Sequence, residues 1–183
     1  YLKGKSIPRP KVVKAIPASY DLRTMNKLTS VKNQGGCGSC WAFATYGSLE
    51  SFLLPGEPND FSEQHLIDSH GFDYGPCDGG QINMSMAYLT RWGGPISEAD
   101  DPYISGSGGA GVVNYPVRKH VQEVMLIPGR ASVSDNNNIK DAIMNYGAVY
   151  TTMSWLDSAY NSTYKTYYNS GTLGGGHAVA IVG

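Results

Sequence analysis

The stretch Gln34-Gly35-Gly36-Cys37-Gly38-Ser39-Cys40-Trp41-Ala42-Phe43 puts a cysteine, Cys40, where a glycine-rich turn meets an apolar, helix-forming run. A thiol there has a chemical advantage. Backbone N–H groups at a helix start favour negative charge, and the thiolate, not the thiol, attacks carbonyls. Gln34 lies six residues before Cys40 and offers a side-chain amide as donor to a developing oxyanion. Such a nucleophile needs a base. His177 is the candidate, in the late stretch Gly174-Gly175-Gly176-His177-Ala178-Val179-Ala180-Ile181-Val182-Gly183. The three glycines before it leave the imidazole uncrowded.

The chain has three cysteines. One pair plus one free reactive thiol is the simplest partition of an odd count. Cys37-x-x-Cys40 also admits a thioredoxin-like redox pair, but that requires a βαβ setting and the residues before Cys37 read as loop. A zinc site from Cys37, Cys40, Cys77 and His70 would need a second closely spaced ligand pair, which the sequence lacks. His65 reads as a helix-surface residue, and His70 and His120 as surface residues of loop or strand.

Several ordered motifs together resemble the papain-like cysteine proteases, the group that includes the cathepsins. Cys37-Gly38-Ser39-Cys40-Trp41 fits the signature around the family nucleophile. His177 follows Cys40 by 137 positions, within the family's range of about 130–150. Ile16-Pro17-Ala18-Ser19-Tyr20-Asp21-Leu22-Arg23 looks like the start of a mature domain. Phe61-Ser62-Glu63-Gln64-His65-Leu66-Ile67-Asp68 resembles the S-E-Q helix, and Cys77-Asp78-Gly79-Gly80 the C-N-G-G turn.

The resemblance implies an α+β, two-lobed fold: a helical lobe, a β-barrel-like lobe and an active-site cleft between them. It implies a Cys37–Cys77 disulfide, with Cys40 free. Ser69 stands where many relatives begin a second disulfide, and no fourth cysteine exists to pair there. The implied catalytic set is Cys40, His177 and Gln34, with the Cys40 N–H as second oxyanion donor. The implied substrate-binding set is Gly38, Gly79, Gly80, Gln81, Ile82, Thr152, Gly175, Gly176 and Ala178. In it, Gly80 hydrogen-bonds an extended peptide, and Gln81, Ile82, Thr152, Gly175 and Ala178 line the pocket for the residue two before the cleaved bond. The implied reaction is endopeptidase cleavage through a thioester acyl-enzyme, with no cofactor and no metal. Two rivals share the fold: a catalytically inactive papain-like binding module, and a transpeptidase using the same thioester. The partners expected are a peptide or protein substrate and the chain's own propeptide, with the enzyme a monomer.

Bulk properties agree with one globular domain. The chain has 183 residues, 41% of them hydrophobic, and a net charge of −1, enough apolar content for a core. No charge run suggests nucleic acid or a polybasic membrane surface. No apolar run reaches the roughly 18 residues of a membrane span. Charged residues are only 16%, while Gly and Tyr number 23 and 13. With a disulfide implied, this suits an oxidising setting: secreted or cell-surface, or lysosome-like in a eukaryote.

Helix signals come first along the chain and strand signals later, the pattern of an α+β fold. A helix from Cys40 to about Leu54 is expected, stopped by Pro55-Gly56. Ala42, Tyr46, Leu49 and Leu53 form its buried face, widened by Phe43 and Phe52. Ser62 caps a second helix. Residues 81–92 form a third, with Ile82, Met86 and Leu89 inward. Residues 136–146 form a fourth, carrying Ile139, Ile143 and Met144 and ended by Gly147. Residues 121–127, 148–153 and 177–182 read as strands, and residues 104–113 as a glycine-rich loop. Tyr160, Tyr164, Tyr167 and Tyr168 fall in a polar loop expected to pack on its own rings. Of the sequons at Asn83 and Asn161, only the second lies outside a helix.

The two ends carry expectations of their own. Residues 1–14 are basic, contain Pro8 and Pro10, and read as a propeptide remnant or linker arm, with 15–183 the catalytic domain. Tyr1 is not an initiator Met, so a processed form is expected. In papain-like enzymes an Asn in an N-S-W-G motif follows the His by about 20 residues and holds its ring. Gly183 comes six residues after His177, inside an apparent core strand, so the missing part is expected to supply the Asn and the closing strands.

Overall fold

The apolar run after Cys40 folds as α1, Cys40–Leu53. The structure, a computed structural model, describes residues 15–105 and 113–183. The expected N-terminal arm and most of the 104–113 loop therefore lie outside the described residues. Helix α1 packs on α2, Glu63–Ser69, and α3, Ile82–Thr90, and also on a β ladder. Burial from several directions explains why the stripe pattern was only partly right. Ala42 and Tyr46 are buried as expected, but so are Thr45, Glu50 and Ser51, while Phe52 is 55% exposed. Thr45, Glu50 and Ser51 each have hydrogen-bond partners. The Thr45 hydroxyl donates to the Trp41 carbonyl (2.7 Å), and the Ser51 hydroxyl to the Lys27 carbonyl (2.6 Å).

Ser62 is the N-cap of α2, accepting from the His65 N–H at 2.9 Å. Six of the seven α2 residues are buried, which overturns the surface reading of His65. Its Nδ1 meets the Tyr88 hydroxyl at 2.6 Å and its Nε2 the Val113 carbonyl at 3.2 Å. His70 is also buried and stands edge-on to Trp41; burial lowers its pKa. In α3 the buried residues are Met84, Ser85, Tyr88 and Leu89, so the inward face is rotated from the expected one. Met84 is turned into the core beside Trp41 and Tyr88.

Charge is buried in this region too. Lys32 Nζ donates to both Glu63 oxygens (2.9 and 3.0 Å) and to the Phe61 carbonyl (3.0 Å), and pairs with Asp60 at 2.7 Å. Glu50 accepts from the Thr29 hydroxyl (2.6 Å) and the Phe61 N–H (2.8 Å). Burial pushes the Glu63 carboxyl up to about 8, against the pull of Lys32, and burial also raises Glu50.

Helix α4, Asn137–Tyr146, buries Ala142 and Ile143. Gly147 ends it with φ +108, and a Cβ there would meet Ser51 backbone atoms at 2.9 Å. The chain then enters β1, Val149–Trp155, which pairs antiparallel with β4, Gly175–Ile181. Between them lies a short hairpin of β2, Tyr160–Asn161, and β3, Thr166–Tyr167. A second core of Leu22, Ile143 and Ala148 lies at the β1–β4 ladder, with Val149, Ala180 and Ile181 packed on it.

The β-barrel-like lobe expected from the resemblance is not what the described residues form. They hold two separate two-stranded sheets and no barrel or curled sheet. The architecture is α+β and two-lobed, with helices and small sheets. Residues 121–127 carry strand-forming side chains but join no ladder, and Val124, Met125 and Leu126 are exposed. A barrel closes only when every strand has two neighbours, and here each strand has one.

Candidate active site

Cys40 is the first residue of α1. Ser39, at the N-cap position, makes no side-chain capping bond to the helix, so the helix start keeps N–H groups for an anion. The Ser39 hydroxyl turns instead to Tyr103, 2.7 Å away. Tyr103 donates its one proton to the Gln34 carbonyl at 2.8 Å, so Ser39 is the donor in their pair. The Tyr103 ring also stands edge-on to Phe43 of α1, 4.9 Å between centroids. One tyrosine thus ties the Gln34 segment to the helix that carries Cys40.

Gln34 sits half-buried beside the turn, and its Nε2 donates to the Cys37 carbonyl at 2.8 Å. That bond ties the amide to the Cys37 carbonyl of the turn and uses one of its two protons. Cys37 is bonded to Cys77 across a separation of 40 residues, and Cys40 is free. With Cys37 so engaged, neither a Cys37–Cys40 redox pair nor the four-ligand zinc reading is left standing. Close packing around this turn also explains two glycines. Gly38 donates its N–H to the Cys77 carbonyl at 3.1 Å, and a Cβ on Gly38 would collide with that same oxygen. A Cβ on Gly80 would come within 2.5 Å of the Trp41 indole. Gly79, at φ +91, has open space around its missing Cβ.

Strand β4 reaches Cys40 from the other lobe. The Ala178 N–H donates to Cys40 Sγ at 3.4 Å, within the longer range that sulfur accepts, and the Ala178 side chain is buried against α1. His177 is therefore one residue from a direct contact with the thiol. Among the described residues its ring makes no hydrogen bond, and its ring neighbour is Trp155, at 5.4 Å between centroids. Thr152 lies opposite Ala178 in the ladder and is exposed. Gln81, Gly175 and Gly176 are exposed as well, and Ile82 is half-buried. Tyr150 lies two residues before Thr152 on the same face of β1 and packs on the core that Cys40 also borders. Burial and the nearby Cys40 push its phenol up to about 12.

Sequence reasoning missed Tyr103 and Trp155. Neither belongs to a motif, and no local signal marks them. Each acquires its place through a partner far along the chain.

The family model for papain family cysteine proteases matches residues 16–183. The chain belongs to the papain family of cysteine proteases. Among this family, a viral cathepsin of Lymantria dispar multicapsid nuclear polyhedrosis virus is 33% identical over 173 residues, covering 91% of this chain and 46% of that protein. A viral cathepsin of Adoxophyes honmai nucleopolyhedrovirus is 35% identical over 179 residues, covering 95% and 50%. The chain thus spans about half the length of these curated relatives. Among solved structures, the clostridial cysteine protease Cwp84 after propeptide cleavage superposes with a TM-score of 0.74 at 26% identity. That match covers 89% of this chain and 42% of that one. Digestive procathepsin L2 proteinase of Tenebrio molitor larval midgut gives 0.72 at 29%, covering 94% and 55%. The papain-family match includes the Cys40 turn, the S-E-Q helix and the His177 strand in one alignment.

Proposed function

We propose that this protein is a cysteine endopeptidase that hydrolyses peptide bonds through a thioester acyl-enzyme. The observation that carries the reading is the contact of β4 with the free thiol. The residue beside His177 donates its amide to Cys40 Sγ at 3.4 Å, at the start of a helix with no side-chain cap. Cys40 attacks the substrate carbonyl as thiolate, paired with protonated His177. The Cys40 N–H and the Gln34 side-chain amide receive the oxyanion. His177 then protonates the leaving amine and activates the water that cleaves the thioester.

The same reading assigns the cleft. Gly38, Gly79 and Gly80 give a side-chain-free edge on which an extended peptide adds by backbone pairing. Gln81, Ile82, Thr152, Gly175 and Ala178 border the pocket for the residue two before the scissile bond. None is acidic, so an apolar side chain is preferred there over Arg or Lys, by about 10–200-fold. Residues 15–183 act as the catalytic domain and 1–14 as a propeptide end or linker. A propeptide partner is supported by relatives whose names describe a pro-form or propeptide cleavage. A secreted, surface or lysosome-like setting is supported by the disulfide.

An epoxysuccinyl inhibitor tests the assignment. In the full-length protein it should label Cys40 alone and abolish cleavage of a fluorogenic peptide amide. Cys40→Ser should lower turnover by about a thousandfold or more. Cleavage that survives Cys40→Ser, or labelling indifferent to His177→Ala, would overturn the reading.

A further inference from the structure

Trp155 occupies the end of β1, opposite Gly175 in the β1–β4 register. His177 lies two residues further along β4 and is therefore its diagonal neighbour on the same face of the ladder. The rings meet at 5.4 Å between centroids and 54° between planes. Gly174 is required by the same residue, since a Cβ there would collide with the Trp155 carbonyl. Of the three glycines before His177, Gly174 thus has a second explanation: it lets the chain pass close to the Trp155 backbone.

The indole is itself held on several sides. Its N–H donates to Asp157 Oδ1 at 2.8 Å. Tyr167 stacks on it at 4.9 Å and 17°, and Tyr160 leans on it at 5.4 Å. Tyr167 is anchored in turn, its hydroxyl donating to the Ser154 carbonyl at 2.7 Å and accepting from Asn169 at 3.3 Å. The Ser154 hydroxyl accepts the Gly174 N–H at 2.7 Å. The β2–β3 hairpin thereby orders an aromatic wall whose inner member faces the imidazole. No hydrogen bond orients the His177 ring among the described residues, so this wall is its ring contact there.

We propose that Trp155, braced by Tyr167 and Asp157, is a positioning residue that holds the His177 imidazole in place for its proton exchange with Cys40. This rests on the assignment of Cys40 and His177 above. An indole face also favours a neighbouring cation within about 6 Å, so the wall supports the imidazolium of the ion pair as well as the ring's angle. Trp155 touches neither substrate nor sulfur in this role. Its effect passes through His177.

The test uses the full-length protein with three variants, Trp155→Ala, Trp155→Phe and Tyr167→Ala, and a fluorogenic peptide amide with an apolar residue two before the scissile bond. Alkylation of Cys40 by iodoacetamide in the parent and in His177→Ala comes first. Indifference of that rate to His177→Ala defeats the underlying assignment, and sensitivity to it leaves only the Trp155 role in question. Trp155→Ala should then lower kcat about tenfold with KM within twofold, and slow alkylation in parallel. Trp155→Phe, which keeps an aromatic face, should recover most of the loss, and Tyr167→Ala should fall between. In the NMR spectrum of the parent, the His177 ring protons should carry a ring-current shift that Trp155→Ala removes and Trp155→Phe largely retains. An unchanged kcat and alkylation rate in Trp155→Phe and Trp155→Ala overturns the proposal. So does a loss confined to KM, or a ring-current shift that survives Trp155→Ala.

Discussion

The two partners of the proposed ion pair come from regions built very differently. Cys40 begins a helix buried on several sides. In the same region the ionisable groups Glu50 and Glu63 are buried and Lys32 half-buried, each of them bonded; Tyr103 ties the Gln34 segment to the helix, and a disulfide closes the turn. His177 lies on a two-stranded ladder beside a hairpin whose Tyr164 and Tyr168 are 76% and 80% exposed. The thiol is positioned by a core, and the imidazole by one strand partner and an aromatic wall. Packed interiors shift little, whereas narrow, exposed elements open at low cost. Perturbing the helical region should therefore register in stability, and perturbing the ladder in turnover.

The sharpest way to break that contrast is the disulfide. Replacing Cys37 and Cys77 together by Ala removes a cross-link over 40 residues, worth about 4 kcal/mol in the chain-entropy account. Urea denaturation should show a loss of that order. A loss below about 1 kcal/mol would mean that the turn is held by its packing alone. Gly80→Ala comes next. Its Cβ would press on the Trp41 indole, which is 1% exposed and has no room to retreat, for a cost of about 2–3 kcal/mol. A fully stable Gly80→Ala would show that the Cys77–Gly80 turn moves freely against α1.

A smaller effect concerns pH. Glu63 is raised in the fold from its ordinary value to about 8 by burial. A carboxyl raised in the fold favours its neutral form there, so its contribution is full below about 4.5 and is lost as pH rises through about 8. Stability should decline by about 1–2 kcal/mol across that window. Glu63→Gln, which keeps the shape without the titration, should flatten the decline in melting curves taken at successive pH values. An identical slope in the variant would place the titration elsewhere. The smallest effect is expected at Leu173, which is 88% exposed in the stretch leading to β4. Leu173→Ser should alter stability by less than about 0.5 kcal/mol, and a larger change would mean that this stretch is packed more tightly than its exposure indicates.

Much of the site was legible because its chemistry is local. Gln34, Cys37, Gly38 and Cys40 fall within seven residues, and the glycine turn, the helix start and the thiol specify one another. Ser62 could be read as a cap because capping is a bond between near neighbours. The inward face of α3 was misread for the opposite reason. Its apolar residues fit more than one stripe, and only packing against α1 and α2 chose Met84 and Tyr88. His65 and His70 looked like surface residues because nothing near them in sequence announces the Tyr88 hydroxyl or the Trp41 ring that shelter them.

The strands show the same division more plainly. Alternation and β-branched content marked residues 121–127 as clearly as they marked β4, yet one lies unpaired and the other forms a ladder. Strand character is a property of side chains, but a sheet exists only where a second backbone supplies hydrogen bonds, and partners are chosen at long range. The sequence by itself pointed to the proposed nucleophile, its helix, the proposed oxyanion side chain and the candidate base, since each is set by residues within reach of one another or by an ordered set of short motifs. Tertiary structure alone decided that two small sheets stand where a barrel was expected, that Ala178 meets the thiol, and that Tyr103 and Trp155 serve the site. Those contacts join residues tens of positions apart, and burial and geometry in the folded chain select them from many chemically equivalent pairs.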